Sequence, residues 1–218
     1  MRHRLYKYFT ERKWADAFLD GEMLFRSLAY FRDYEDENVR GDRNEGNAIF
    51  RPSGGLIINN QTQRTTFTLP EFAFESKANQ EEILVFCVSR SLTDELRDRF
   101  EAVACVEILR VPTLCERLWR SLPPNATRYA RRVEYYDEGD GAGTRWALPD
   151  QIATSKFKGY KWQNEFRFVF SLTDALGFEK GTSRLVRGET LEPPKPAEHH
   201  EHLVKTGSLR GICHLHEL

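Results

Sequence analysis

Gln163, Glu165 and Arg167 stand two apart in a run that continues through Phe166, Phe168 and Phe170. In a strand, alternate side chains leave opposite faces, so the amide, carboxylate and guanidinium share one side and the three phenylalanines the other. The aromatic face anchors the strand, and the polar face holds a carboxylate on a rigid element, as a catalytic Glu requires. In transfer reactions that pass through an oxocarbenium-like ribose, such a carboxylate hydrogen-bonds a hydroxyl and stabilises positive charge as the leaving group departs. Gln163, about 6.5–7 Å away on the same face, is placed to orient the incoming nucleophile. Tyr160, three residues earlier, would lip the site. A half-solvated edge strand, with Glu165 and Arg167 paired to charges on a neighbour, explains the same pattern.

Other groups offer other chemistry. Asp33, Glu35, Asp36, Asp42 and Glu45 cluster in one stretch, and carboxylates are the ligands a hard cation such as Mg²⁺ chooses for phosphodiester cleavage. Arg40 and Arg43 alternate with them in sign, which favours a solvated loop with local ion pairs. His199, His200 and His202, beside Glu198 and Glu201, lack the His-x-x-x-His spacing of a helical metal site, so they read as solvated and no metal is expected. Ser89, Cys87 and Cys115 have no Gly-x-Ser-x-Gly elbow and no recognisable Cys/His pairing, and no phosphate-binding Gly-x-x-x-x-Gly-Lys-Ser loop occurs. Arg128, Arg131 and Arg132, interleaved with Tyr129, Tyr135 and Tyr136, suit a nucleic-acid backbone and its bases as well as they suit an amphipathic strand.

The elements that must position these groups read as short strands and short helices. Residues 4–9 read as a strand, followed by a helix capped at Thr10 with Trp14, Ala17 and Phe18 on one side and Gly21 as its stop. Residues 23–28 read as a second strand, 29–36 as a turn or short helix, and 38–47 as an exposed loop. Short strands at 49–50, 55–58 and 65–69 suggest a meander. The uninterrupted apolar run 83–88 fits a central strand covered on both faces. Helices are expected over 92–100 and from Pro112 to residue 122, strands over 102–109 and, at a sheet edge, 128–136. Residues 149–161 read as an exposed loop, and 184–186, 203–204 and 211–215 as late strands. Strands and helices that mix without regular alternation imply an α+β fold with mainly antiparallel sheets and short helices.

Composition bounds the function. The chain has 218 residues with no internal repeat and no convincing linker, so one domain spanning 1–218 is expected. Its net charge of −1 gives no whole-protein attraction to nucleic acid or to an anionic membrane. No run approaches the roughly 20 apolar residues of a membrane helix, and the opening residues lack the apolar core of a signal peptide, so a cytoplasmic protein is expected. The four cysteines are singletons without a Cys-x-x-Cys pair, which favours reduced thiols.

The pattern aromatic-x-x-Gln-x-Glu at Tyr160, Gln163 and Glu165 resembles the recognition turn and catalytic strand of the ADP-ribosyltransferases. That family also opens with a strand bearing a basic residue after an aromatic, a helix, and a second strand ending in Ser; Tyr6 and Lys7, the helix to Gly21, and Ser27 follow in that order. The resemblance implies a split-sheet core, NAD as substrate, and a macromolecular target, protein or nucleic acid. It implies Glu165 as the stabiliser of the ribosyl cation, Gln163 as the orienter of the acceptor and Ser27 as support for Glu165. Lys7 and Tyr6, with Ser27, would contact the dinucleotide, and Tyr160 and Trp162 the target. Lys7 stands where the family usually has Arg or His, and Lys lacks the bidentate phosphate contact of Arg. A second resemblance, to a widespread uncharacterised bacterial and prophage domain family, rests on Leu5, Tyr6, Lys7 and Tyr8, on Trp162, Glu165 and Arg167, and on Gly207, Ser208, Leu209 and Ile212; it implies no activity. A non-catalytic module binding protein or nucleic acid, and a metal-dependent nuclease using Asp33, Asp36, Asp42 and Glu45, stay open beside an active or degenerate transferase.

Overall fold

The period-two stretches form strands and the short three-four repeats form helices in a computed structural model that describes residues 4–33, 44–140, 148–187 and 197–218. The chain begins with β1 (Leu5–Phe9), α1 (Arg12–Leu19), β2 (Glu22–Ser27) and α2 (Leu28–Arg32). In α1 the three-four spacing of Ala15, Phe18 and Leu19 makes the buried side. Its N-cap is Glu11, not Thr10. Gly21, at φ +100°, then turns the chain into β2; a Cβ there would strike the backbone of Gly207, so only glycine fits.

Next come β3 (Asn47–Phe50), β4 (Leu56–Asn60), β5 (Thr65–Leu69), β6 (Phe72–Lys77), β7 (Leu84–Ser89), α3 (Asp94–Arg99), β8 (Ala104–Ile108) and α4 (Val111–Ser121). The remainder runs β9 (Thr127–Arg132), β10 (Glu134–Tyr136), α5 (Pro149–Ile152), β11 (Ser155–Phe157), a 3₁₀ helix (Lys158–Gln163), β12 (Glu165–Ser171), β13 (Thr182–Arg187), β14 (Glu201–Lys205) and β15 (Cys213–Glu217). Among the described residues, strand pairs are antiparallel except β10 with β11. The fold is α+β with mainly antiparallel sheet.

Two expectations are corrected. The expected meander does not form: β4 and β5 make their own hairpin, whereas β3 pairs β6, a strand without a clear signal, and β6 pairs β13. Residues 149–161 are not an exposed loop. Ile152 and Ala153 are buried in a core, and Lys156 is buried as well because its charge is met from inside the protein.

The main sheet forks. Along β12 every residue of β7 from Leu84 to Ser89 has a partner, which occupies one edge of β7 completely. Both other partners therefore share the second edge: β2 at Val85 and Leu84, β1 at Ser89. Between those points β1 and β2 part. One arm continues β1, β8, β15 and the other β2, β14, while β9 forms the outer edge beyond β12.

Each face of this sheet has its own core. On one face Phe86, Phe168 and Phe170 join Leu5, Phe25, Val106 and Ile108 under Phe18 of α1 and Leu114 and Leu118 of α4. On the other face Val85 and Val169 pack with Leu28, Ala48, Tyr136, Ile152 and Ala153. The second face also carries Glu165 and Arg167, so the polar groups of β12 are as buried as its phenylalanines.

Candidate active site

β12 begins at Glu165, two residues later than its alternation suggests. Asn164 adopts a left-handed conformation (φ 43°, ψ 51°) that closes the 3₁₀ helix, so Gln163 ends that helix rather than lying on the strand. Gln163 nevertheless faces the same place. Its Oε1 accepts from Lys156 Nζ (2.9 Å), and its backbone carbonyl accepts from Ser89 Oγ (2.8 Å).

Arg167 organises the cluster. Nε donates to Glu165 Oε1 at 2.7 Å and Nη2 to Glu165 Oε2 at 3.3 Å, a side-on contact. Nη1 and Nη2 also meet Glu45 Oε1 and Oε2 end-on, at 2.5 and 2.9 Å, and Nη1 donates to the Ala153 carbonyl at 2.7 Å. These five contacts match the five donors of a guanidinium. Lys156 Nζ lies 3.5 Å from Glu165 Oε2 and 3.8 Å from Glu45 Oε2, giving two cations against two carboxylates. Glu45 and Arg167 are each 1% exposed, a burial that charges tolerate only when so paired.

The charges decide how Glu165 ionises. Burial alone would raise its carboxyl, but Arg167 and then Lys156, with Arg167's hydrogen bond, hold it well below the usual carboxylate range. Burial pushes Tyr135, whose hydroxyl accepts from the Glu165 N–H at 2.8 Å, up to about 12. Glu165 is thus a fixed anion next to a neutral phenol.

This cluster forms one wall of a cavity of about 600 Å³ that lies at the fork and reaches through it to Trp14 and Phe18 of α1. Glu165, Gln163, Tyr6 and Lys7 all line it. Lys7 lies two residues from Leu5 and shares its sheet face, opposite to that of Glu165: Nζ donates to the Cys87 carbonyl at 2.8 Å and stands 4.5 Å from the Phe86 ring centre. That carbonyl lies on the stretch of β7 between its two partners, and Lys7 meets it there. The Tyr6 hydroxyl points to Glu107, 3.5 Å away.

The remaining sequence candidates fall elsewhere. Ser27 is paired with Leu84 while Glu165 is paired with Ser89, five residues along β7 or about 16 Å at ~3.3 Å per residue. Ser27 does not touch Glu165; its hydroxyl caps α2 by accepting from Tyr30 N (3.3 Å) and also accepts from His200 N (3.2 Å). The groups that support Glu165 are Arg167 and Lys156. Replacing Ser27 by Ala is therefore expected to cost about 1–2 kcal/mol through the lost cap, read from the urea midpoint; an unchanged midpoint would show that the cap contributes nothing. Tyr160 lies with its ring 4.7 Å from Lys156 Nζ, and Trp162 packs between Phe100 (5.5 Å) and the Arg99 guanidinium (4.4 Å).

Of the acidic stretch, Asp33 is tied to Arg32 and His199, and Glu45 to Arg167; Asp36, Glu35 and Asp42 lie outside the described residues. Among the described residues no group of three or more His, Cys, Asp or Glu is arranged to hold a metal. His200 pairs with Glu198, and the His202 ring rests on Phe170. On β9, Arg131 pairs with Asp150 at 2.6 Å and lies over Tyr129, and Arg128 donates to the Trp119 carbonyl. All four cysteines are free, and burial pushes Cys105 and Cys213 up to about 12, far from thiolate chemistry.

Sequence reading gave no role to Lys156 and put Glu45 in a different site. A Lys in a polar segment carries no local sign of burial; only the Glu165 and Arg167 pair, which needs compensation once buried, hinted that further charges converge there. The fold and site define an α+β protein with a forked sheet and a balanced buried ion cluster opening on a cavity. Compared with known proteins, the chain matches no family model, no curated protein and no solved structure. Among the described residues no helix is long and apolar enough to cross a membrane.

Proposed function

We propose that the fork cavity takes NAD as substrate and that the chain is an ADP-ribosyltransferase-like enzyme, or a relative of one, acting on a macromolecular target. The observation that carries this reading is the ionised, rigidly held Glu165 on the wall of a cavity shared with Lys7 and Tyr6. A volume of about 600 Å³ lies within the range of small-molecule sites, roughly 300–1,000 Å³. Aromatic rings at Tyr6, Trp14 and Tyr30, with cationic Lys7 and Arg26, suit a ligand that carries both flat rings and phosphates.

NAD would supply an electrophilic ribosyl carbon, freed when its bond to nicotinamide breaks and the electron pair leaves with the nicotinamide. Glu165 would face the positive charge so formed, its negative charge available because Arg167 is shared with Glu45. Gln163 borders the same space, and Tyr160, whose ring lies 4.7 Å from Lys156 Nζ, would meet the target. The likeness to the uncharacterised bacterial and prophage domain family, and a cytoplasmic setting, belong to the same proposal. The target, protein or nucleic acid, enters as the nucleophile.

Nicotinamide release from NAD tests the reading. Glu165→Gln keeps the shape and an acceptor for Arg167 while removing the charge, and is expected to lower kcat about 10²–10³-fold. No release by the wild-type protein, with and without candidate targets, or equal release by Glu165→Gln, would remove the proposal.

A further inference from the structure

We infer that Glu45 is a positioning residue for Glu165: by occupying the end-on face of Arg167, it obliges that guanidinium to meet Glu165 side-on. The catalytic part of this inference rests on the function proposed above; the geometric part does not.

A guanidinium offers two bidentate faces to carboxylates, one through its two Nη atoms and one through Nε and a single Nη. In this protein Glu45 holds the first and Glu165 the second. The carboxylates thus share one cation but are not equivalent. Glu45 accepts 2.5 and 2.9 Å bonds, whereas Glu165 has one short bond of 2.7 Å and one of 3.3 Å. Lys156 completes the looser side of Glu165 at 3.5 Å. Both carboxylates border the cavity, Glu45 on the end-on face of Arg167 and Glu165 on its side-on face.

Without Glu45, Arg167 would have an unsatisfied end-on face and one carboxylate within reach. The two-to-two charge balance would become an excess of one cation, and the guanidinium would be drawn fully onto Glu165. Glu165, which already accepts from Arg167 at both oxygens, would lose its side-on geometry as the guanidinium turned its end-on face toward it. Glu45 thereby fixes the angle at which Arg167 approaches Glu165.

The Arg167 Nε–H resonance reports this geometry without reference to activity. In the wild-type protein it is expected as a slowly exchanging, hydrogen-bonded signal, assigned by its loss in Arg167→Lys. In Glu45→Gln, which preserves volume and removes the charge, the signal should shift or broaden as the guanidinium turns. Under the same substitution kcat for nicotinamide release should fall about tenfold or more with KM within about twofold. If Glu45→Gln fails to fold, Glu45→Asp, whose carboxylate is retracted by one methylene, should disturb the same resonance. An unchanged Nε–H signal in a folded Glu45 variant overturns the inference, as does a kcat equal to wild type in a protein that does release nicotinamide. A disturbed signal in a protein that releases none supports the geometric role of Glu45 and sinks the transferase reading alone.

Discussion

Arg167→Met is expected to lower stability by about 3–5 kcal/mol near neutral pH, the scale on which a buried charge cluster suffers when one member is removed. Methionine fills much of the space but leaves Glu45 and Glu165 facing each other with Lys156 as their remaining cation in the cluster. The pH dependence identifies the cause. In the wild-type protein the Glu165 carboxyl is depressed below its ordinary value of 4.5, so its contribution is fully present above that value and is lost as pH falls through the folded one. In Arg167→Met, burial, no longer opposed by the guanidinium, raises the Glu165 carboxyl instead. The folded variant then binds more protons than the unfolded chain, and its stability rises as pH falls. The gap between the two proteins should therefore shrink on acidification. Urea unfolding near neutral pH and near 4.5 measures it; a gap that is small at neutrality, or that widens in acid, would contradict the electrostatic account.

Phe25→Ala is expected to cost roughly 3–5 kcal/mol, mostly as a cavity that its neighbours cannot fill. Phe25 is fully buried on β2, with its ring edge-on to Phe170 at 4.8 Å and tilted against Phe86 at 5.5 Å. Three strands therefore meet at this ring: β2 from one arm of the fork, β7 as its stem, and β12 beyond. Phe18, stacked on Phe86 at 5.7 Å, sits next to it, so helix α1 also feels the loss. Phe25→Leu retains most of the volume and should recover a large part of the stability. Thermal or urea denaturation of the two variants checks both statements, and equal costs for Ala and Leu would show that packing around the ring is not what holds β2 to β7.

The parts of this fold that depend on local alternation were legible. β12 shows its two faces because Phe and polar residues alternate strictly, and β7 shows its central place because nothing polar interrupts Ile83 to Val88. The fork was not legible from these residues, since it depends on Tyr6 and Arg26 sharing one edge of β7, a register set over long range. Ser27 illustrates a different limit. A serine at the end of a strand and the start of a helix satisfies a local need, the α2 cap, which outcompetes the role suggested by its place in the order of elements. Glu45 and Lys156 lie 122 and 11 residues from Arg167 (167 − 45 and 167 − 156) and meet it or its partners only in the folded state.

The fork also changes how β7 is held. Among the described residues no strand pairs with one edge of β7 over its middle, and the Cys87 carbonyl there is held by the Lys7 ammonium. The gap in the backbone ladder is thus bridged by a side chain, and Phe18 of α1, packed against Phe9 of one arm and Phe86 of the stem, covers the same point from one face.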